Sequence, residues 1–228
     1  INSVRGMSDV VAQAIADNRP YTSMEDVVRK VPQLHIAQLE ALATAGVFNE
    51  SFGQQRRDAL WSAGAVIQSR PGTLDGVTTG VEAPYLPGMQ PMEEAIADLW
   101  ATGVSTSGHP TEFLRIELER MGVATAMQLP QRGARGDEKV LVAGTVTHRQ
   151  RPMTAQGITF INLEDETGHI NVVCSVGCWA RYRKVARGAG ALLVRGRLEV
   201  GDGGVINVVA EHIAPLHVAA KVAARNFR

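Results

Sequence analysis

Three things are scarce in this sequence, and each scarcity narrows what the chain can be. Only two cysteines, Cys174 and Cys178, occur in 228 residues, so no disulfide framework supports the fold and the chain suits a reducing compartment. Aromatic residues make up 5%, so stacking on a nucleic acid cannot be extensive and affinity for one must lean on charge. No stretch approaches the roughly 20 apolar residues of a membrane span, and no charged, apolar, then small-residue segment opens the chain as a secretory signal does. A cytoplasmic chain without a membrane partner is expected. Ile1 is not an initiator methionine, which leads us to expect a piece of a longer protein.

Net charge is missing too, with 23 Lys and Arg against 23 Asp and Glu. The balance hides a division. Residues 139–228 carry 12 basic and 6 acidic side chains, whereas residues 69–138 carry 5 and 10. A basic C-terminal part behind an acidic middle matters to a polyanion. With the whole chain balanced, nucleic-acid binding has to be local and moderate.

What is present is enough apolar residue, 45%, to build buried cores, and the pattern predicts an α+β multidomain chain. Residues 1–68 read as short helices in a compact cluster. Ser8 caps one with Val11, Ala14 and Ile15 on its face. Ser23 opens a second, with Asp26 at capping-box spacing ahead of Val27, Val28 and Val31. Ile36, Leu39, Leu42 and Ala43 define a third, stopped by Gly46, and a fourth runs from Gln54 through Leu60, Trp61 and Ala65. Residues 69–91 are rich in Pro and Gly and read as a linker over the surface. Residues 92–137 form a short helical connector, with helices at 92–102 and 112–121 and a second linker over 131–137. In its Ser107-Gly-His-Pro110, His109 caps or orients the next helix and Pro110 takes the first turn. Residues 138–217 form the next domain and 218–228 a tail. No heptad pattern points to a dimer, so a monomer is expected.

In residues 138–217, apolar residues alternate with period two. Val140, Val142 and Val146 share one face, as do Ile170, Val172, Cys174 and Val176, and Leu192, Val194, Leu198 and Val200. Thr145, Thr147, Asn171, Ser175, Arg195 and Arg197 fall on the opposite faces. The segment 158–165 is apolar on both sides at first, which leaves its inward side open. Strand 169–176 leads into a helix bearing Trp179 and Tyr182, then come strand 191–200, a Gly-rich turn at 201–204 and strand 205–213. The order strand, strand, strand, helix, strand, strand is that of a five-stranded oligonucleotide-binding (OB) barrel.

The candidate nucleic-acid contacts follow from that frame. His148, Arg149, Gln150 and Arg151 form a basic loop at the mouth of the groove, where they contact phosphates and bases or else make a solvated turn. Phe160 is the stacking candidate, with a place in the core as the alternative. Arg195 and Arg197 stand on an outward strand face. Arg181, Arg183, Lys184 and Arg187 line the polar side of the barrel helix, a pattern that fits charges standing in water better than a second phosphate or partner patch. Cys174, Cys178 and His169 do not amount to a closed four-ligand zinc site, so no metal is expected.

Several motifs together resemble the C-terminal part of a bacterial C-family (DnaE-type) DNA polymerase. Val4-Arg-Gly-Met-Ser-Asp9 with Ala14 and Ile15 resembles the family's helix-hairpin-helix, and 39–48 with Arg56 and Arg57 its second helical block. Ser107-Gly-His-Pro110 and Leu163-Glu-Asp-Glu-Thr-Gly168 are similar to the signature before its OB domain and to that domain itself. Leu86-Pro-Gly-Met89, residues 97–103, His148-Arg-Gln-Arg-Pro152 and Arg225-Asn-Phe-Arg228 resemble the error-prone, ImuC-type branch.

This resemblance implies a non-catalytic module of an error-prone, translesion polymerase. The hairpin, at Gly6 and Ser8, would grip duplex DNA, and the OB domain would hold single-stranded template. The hairpin departs from the family in having Gly6-Met-Ser8 for Gly-x-Gly. The acidic residues here read as solvated charges and turn formers, not as the carboxylates of a two-metal site, so the module is expected to lack catalytic residues and cofactors, and Mg would serve the parent polymerase. The alternative is an interaction platform in which Phe227 and Arg228 of the tail dock an ImuB-type accessory protein. Residues 86–89 are at most a degenerate sliding-clamp motif, which makes any clamp contact indirect.

Overall fold

Both serines do what their positions predict. Ser8 accepts a hydrogen bond from the Val11 amide and opens α1 (Asp9–Asp17), and Ser23 accepts one from Asp26 and opens α2 (Met24–Lys30). The Asp26 carboxylate turns to the amide of Thr22 instead of closing a reciprocal box with Ser23. These observations come from a computed structural model describing residues 1–69, 72–74, 80–133, 139–201 and 204–216, with the backbone of 225–226. The chain forms two compact units, Ile1–Thr106 and Ser107–Arg228.

In the first unit, α3 (Ile36–Thr44) ends before Gly46, whose φ of 78° starts a further helix, α4 (Val47–Phe52). The sequence reading had no helix there. α5 (Arg56–Val66) and α6 (Pro91–Thr102) complete the unit. Val11, Ile15, Val27, Val28, Leu39, Leu42, Phe48 and Ala63 share one core. The Pro/Gly-rich stretch is partly tied down, since Ser62 donates to the Val81 carbonyl and Arg57 to that of Pro87. Arg56 pairs with the buried Asp98 at 2.7 Å, joining α5 to α6. The predicted connector is therefore divided, with α6 in the helical unit and everything after Thr106 in the other.

The second unit opens with α7 (Pro110–Phe113), α8 (Arg115–Arg120), a two-residue strand β1 (Val123–Ala124) and α9 (Leu129–Gly133). The barrel strands are β2 (Lys139–Gln150), β3 (Thr159–Asp165), β4 (Gly168–Cys174), β5 (Ala191–Val200) and β6 (Ile206–Pro215), with α10 (Val176–Gly188) after β4. Neighbours run β2-β3-β4-β6-β5, and β5 returns to β2, which closes the barrel. β4 and β6 pair in parallel, and the other barrel pairs are antiparallel. Twelve residues let β2 serve both neighbours, β5 through residues 139–145 and β3 through residues 145–150. At the crossing point a side chain on Gly144 would put its Cβ 2.6 Å from the Glu164 carbonyl oxygen. β1 adds to β2 in parallel, and so does a short β7 (Arg225–Asn226) opposite His148 and Arg149.

Inside, Val140, Val142, Val146, Ile161, Leu163, Ile170, Val172, Cys174, Leu192, Val194 and Leu198 pack together beneath Trp179, Tyr182 and Ala186 of α10. This settles the open strand, because Ile161 and Leu163 point in while Phe160 and Asn162 point out. Each such fully buried aliphatic side chain contributes about 1.5–3 kcal/mol. Two ends of the alternation need correction. Val176 is 51% exposed because β4 stops at Cys174 and Ser175 becomes the cap of α10, accepting from the Cys178 amide. Val200 is 57% exposed at the end of β5. Thr145, predicted outward and open, is buried.

Candidate nucleic-acid interface

Two sides of the barrel exterior differ in what covers them. The β2/β5 side is covered by the unit's own chain, where Leu114, Leu118 and Val123 pack on Leu141, Ala143 and Leu193. Its upper edge is fastened by the Ser-Gly-His-Pro segment. His109 Nδ1 lies 2.6 Å from Thr111 Oγ1 and 3.2 Å from the Thr111 amide, and Nε2 lies 3.2 Å from Thr145 Oγ1. Thr145 in turn donates to the Glu164 carbonyl. Burial pulls the His109 pKa down and keeps the ring neutral.

The turn after β3 completes the fastening. Asp165 accepts from the amides of Ala126, Thr167 and Gly168, and Glu166 accepts from Arg115 Nε at 2.5 Å and from Thr111 Oγ1 at 2.6 Å. Burial alone would raise the Glu166 pKa, but the hydrogen bonds from Arg115 and Thr111 outweigh it and hold the carboxylate below its ordinary value. The acidic run 164–166 thus forms a turn and a clamp.

The β3-β4-β6 side is the open one, and strand register sets out its residues. Gln150, Phe160, Val173, Val209 and Arg197 lie in one cross-strand row. His148, Asn162, Asn171, Asn207 and Glu199 lie in the next. Phe160 is 36% exposed, enough ring to stack a base. Among the described residues no side-chain hydrogen bond occupies Asn162, Asn171 or Asn207, so each amide offers both a donor and an acceptor to a ligand. Arg197 borders the face and shares Glu211 with Lys139, at 3.4 and 3.8 Å.

The structure brings some predicted site residues together and separates others. His148, Gln150, Phe160 and Arg197 share the open face, with the exposed Arg151 at its margin. Arg149 does not belong to it. It is 5% exposed, donates Nε to the Ala186 carbonyl at 2.6 Å and Nη2 to that of Ala189, and burial lowers its pKa. Arg195 is exposed but lies opposite Leu141 and His212, toward the covered side. Phe227 and Arg228 lie outside the described residues. The three asparagines were not among the predicted contacts. Their signal was available in the sequence, because asparagine is a poor strand former and three of them stand at outward strand positions.

In the helical unit, Gly6 has a φ of 71°, its carbonyl accepts from Gln38 Nε2 at 3.0 Å, and a Cβ there would meet nothing within 4 Å. Ser8 spends its hydroxyl on capping α1. Among the described residues the amides of Gly6, Ser8, Asp9 and Val10 have no backbone partner, and all four residues are exposed at the N-terminal, positive end of α1. Gly6 and Ser8 therefore shape a ring of backbone donors.

Cys174 lies in the core, where burial, then the neighbouring Cys178, pushes its thiol up to about 12. His169 is opposite Glu164, at the far end of β4 from Cys174. Among the described residues no group of three or more His, Cys, Asp or Glu could hold a metal ion, and no helix is long and apolar enough to cross a membrane.

A closed barrel with an open polar and aromatic face, and a hairpin that presents amides, define a chain of nucleic-acid-binding modules. Residues 140–216 match the OB-fold nucleic acid binding domain family and residues 1–59 the helix-hairpin-helix motif. Over nearly its whole length the chain matches the C-terminal region of error-prone DNA polymerases. It is 52% identical to the one of Mycobacterium bovis over 96% of this chain and 20% of the relative. It is 48% identical to that of Nocardia farcinica (97% and 20%) and 41% identical to that of Corynebacterium glutamicum (100% and 21%). The chain thus spans about a fifth of the length of the relatives it matches.

Proposed function

We propose that this chain is the DNA-holding, non-catalytic part of an error-prone polymerase that copies damaged template. The single-stranded template lies on the β3-β4-β6 face, with a base on Phe160 and others against the Asn162, Asn171 and Asn207 amides, while Arg151 and Arg197 meet phosphates. The hairpin at Gly6–Val10 takes a phosphate of the duplex through backbone amides. The observation that carries this reading is the side-by-side placement of an exposed Phe160 row and an unoccupied asparagine row on the uncovered side of the barrel. The Mg that a polymerase uses belongs, on this reading, to the catalytic part of the parent, and the whole acts in the cytoplasm, in DNA repair.

The test is fluorescence anisotropy of a labelled single-stranded oligonucleotide of about 16 nucleotides at two salt concentrations. Salt-sensitive binding by the full chain that weakens in the Phe160→Ala and Arg151→Ala double variant is the expected result. An intact, folded chain that binds no oligonucleotide would sink the proposal.

A second reading keeps the same fold and changes the partner. The backbone of Arg225 and Asn226 runs beside β2. On this reading Phe227 and Arg228, which follow in the sequence, dock an ImuB-type accessory protein that links the polymerase to the sliding clamp. Loss of that protein's binding on Phe227→Ala, with DNA binding intact, would favour it.

A further inference from the structure

We propose that the outer face of α10 is a second phosphate track, along which single-stranded DNA leaves the barrel face. The proposal rests on the reading that the barrel binds DNA and extends it to residues that reading does not use. Arg181, Arg183, Lys184 and Arg187 fall within seven consecutive positions of the helix, and all four are exposed. Among the described residues none of them has an acidic partner. The helix itself contains no Asp or Glu. Four cations left uncompensated on one short helix repel one another and are stabilised by a polyanion.

Their position favours a nucleic acid over an acidic protein. The other residues lining this open surface are Ala180 and Gly188, which provide no aromatic or large aliphatic anchor of the kind that dominates protein docking. The surface also continues the DNA face. β2 and β4 end, and β3 begins, at the same end of the barrel, so the loop carrying Arg151 leaves the barrel where α10 starts. The two lie close together, because a Cβ on Gly157 would lie 3.1 Å from Val176 and 3.4 Å from an Arg151 guanidinium nitrogen. The path from Phe160 therefore passes Arg151, reaches the first turn of α10 and then meets Arg181, Lys184 and Arg187. Arg181 to Arg187 covers about 9 Å along the axis at about 1.5 Å per residue, room for two or three phosphates at about 3.4 Å per stacked nucleotide.

The experiment compares the full chain with the triple variant Arg181→Ala, Lys184→Ala, Arg187→Ala, using oligothymidylates of about 8 and about 16 nucleotides over a range of salt. All three side chains are exposed, so the variant should melt with the wild type. The expected result is a loss on the order of tenfold for the longer strand, with the salt slope lowered by about 2 at about 0.7 per phosphate, and little change for the shorter one. A triple variant that binds both strands as the wild type does overturns the track while leaving the barrel reading in place. An intact chain that binds neither strand removes both. Retention of both oligonucleotides with loss of oligoglutamate binding would assign the face to an acidic protein and overturn the proposal.

Discussion

Arg149 donates its Nε–H to the carbonyl oxygen of Ala186 at 2.6 Å, tying the end of β2 to the last turn of α10. The last carbonyls of a helix have no partner within it and face the negative end of its dipole. A guanidinium that reaches Ala186 and Ala189 together satisfies two of them with one charge.

Arg149→Ala is expected to cost about 3 kcal/mol, since it removes two charge-assisted hydrogen bonds from a buried site. Arg149→Lys should recover less than half of the loss, because an ammonium cannot span two carbonyls as a planar fork does. Urea denaturation measures both. Unchanged stability with lost DNA affinity would return Arg149 to the contact surface.

Phe160→Ala should leave stability within about 1 kcal/mol, as expected of a half-exposed strand position. Affinity for single strands should fall by about 1–3 kcal/mol, the contribution of one base stacked on an aromatic ring. Anisotropy titrations beside thermal melts separate the two effects, and a variant that melts early without losing affinity would make Phe160 a structural residue.

His109 makes the barrel unit sensitive to acid. The unfolded chain protonates this histidine near about 6.5, whereas the folded chain holds it neutral to lower pH. The folded state therefore has its full stability above that value and loses it as pH falls toward the folded pKa. Glu166 adds a second loss further down. Its folded pKa is lowered, so its contribution is present above about 4.3 and disappears as pH drops through the folded value. Melting temperatures followed from about pH 7.5 to 5 should slope downward in the wild type and flatten in His109→Gln.

Two glycine substitutions should have opposite outcomes. On β5 a Cβ at Gly196 would fall against the Val209 carbonyl of β6, and Gly196→Ala should cost about 1–3 kcal/mol or prevent barrel closure. On α10 a Cβ at Gly177 meets nothing within 4 Å, and Gly177→Ala should stabilise by about 0.5–1 kcal/mol through the helix's own preference. Chemical denaturation of the pair checks the closeness of β5 and β6 against an internal control.

Much of the barrel was legible because period-two alternation follows from strand geometry. Val140, Val142, Ile170, Val172, Leu192 and Val194 all point inward as read, and Ser8 and Ser23 cap as read. Arg149 was not legible. Counting by twos from Val146 puts residue 149 outside, but the register slips between Val146 and His148, and one extra residue exchanges the faces beyond it. That slip sends Arg149 in and His148 and Gln150 out, and no residue type announces it. β1 is two residues long and α9 five, too short for any period to show. The asparagine row escaped notice for a different reason, since Asn162 faces Asn171 across the β3-β4 hairpin but Asn207 joins them only through the pairing of β6 with β4.

The fastening of the Ser-Gly-His-Pro segment also gives the barrel a direction. At the end marked by the 165–168 turn, the chain's own residues close the approach, with Ala126 held by Asp165 and Gly133 packed on Val200 and Ile206. At the opposite end stand Arg151 and the cations of α10. On the proposed path, a strand crossing the asparagine row would meet protein on one side and an open, positively charged exit on the other, which would make the surface a ramp with a fixed downhill end.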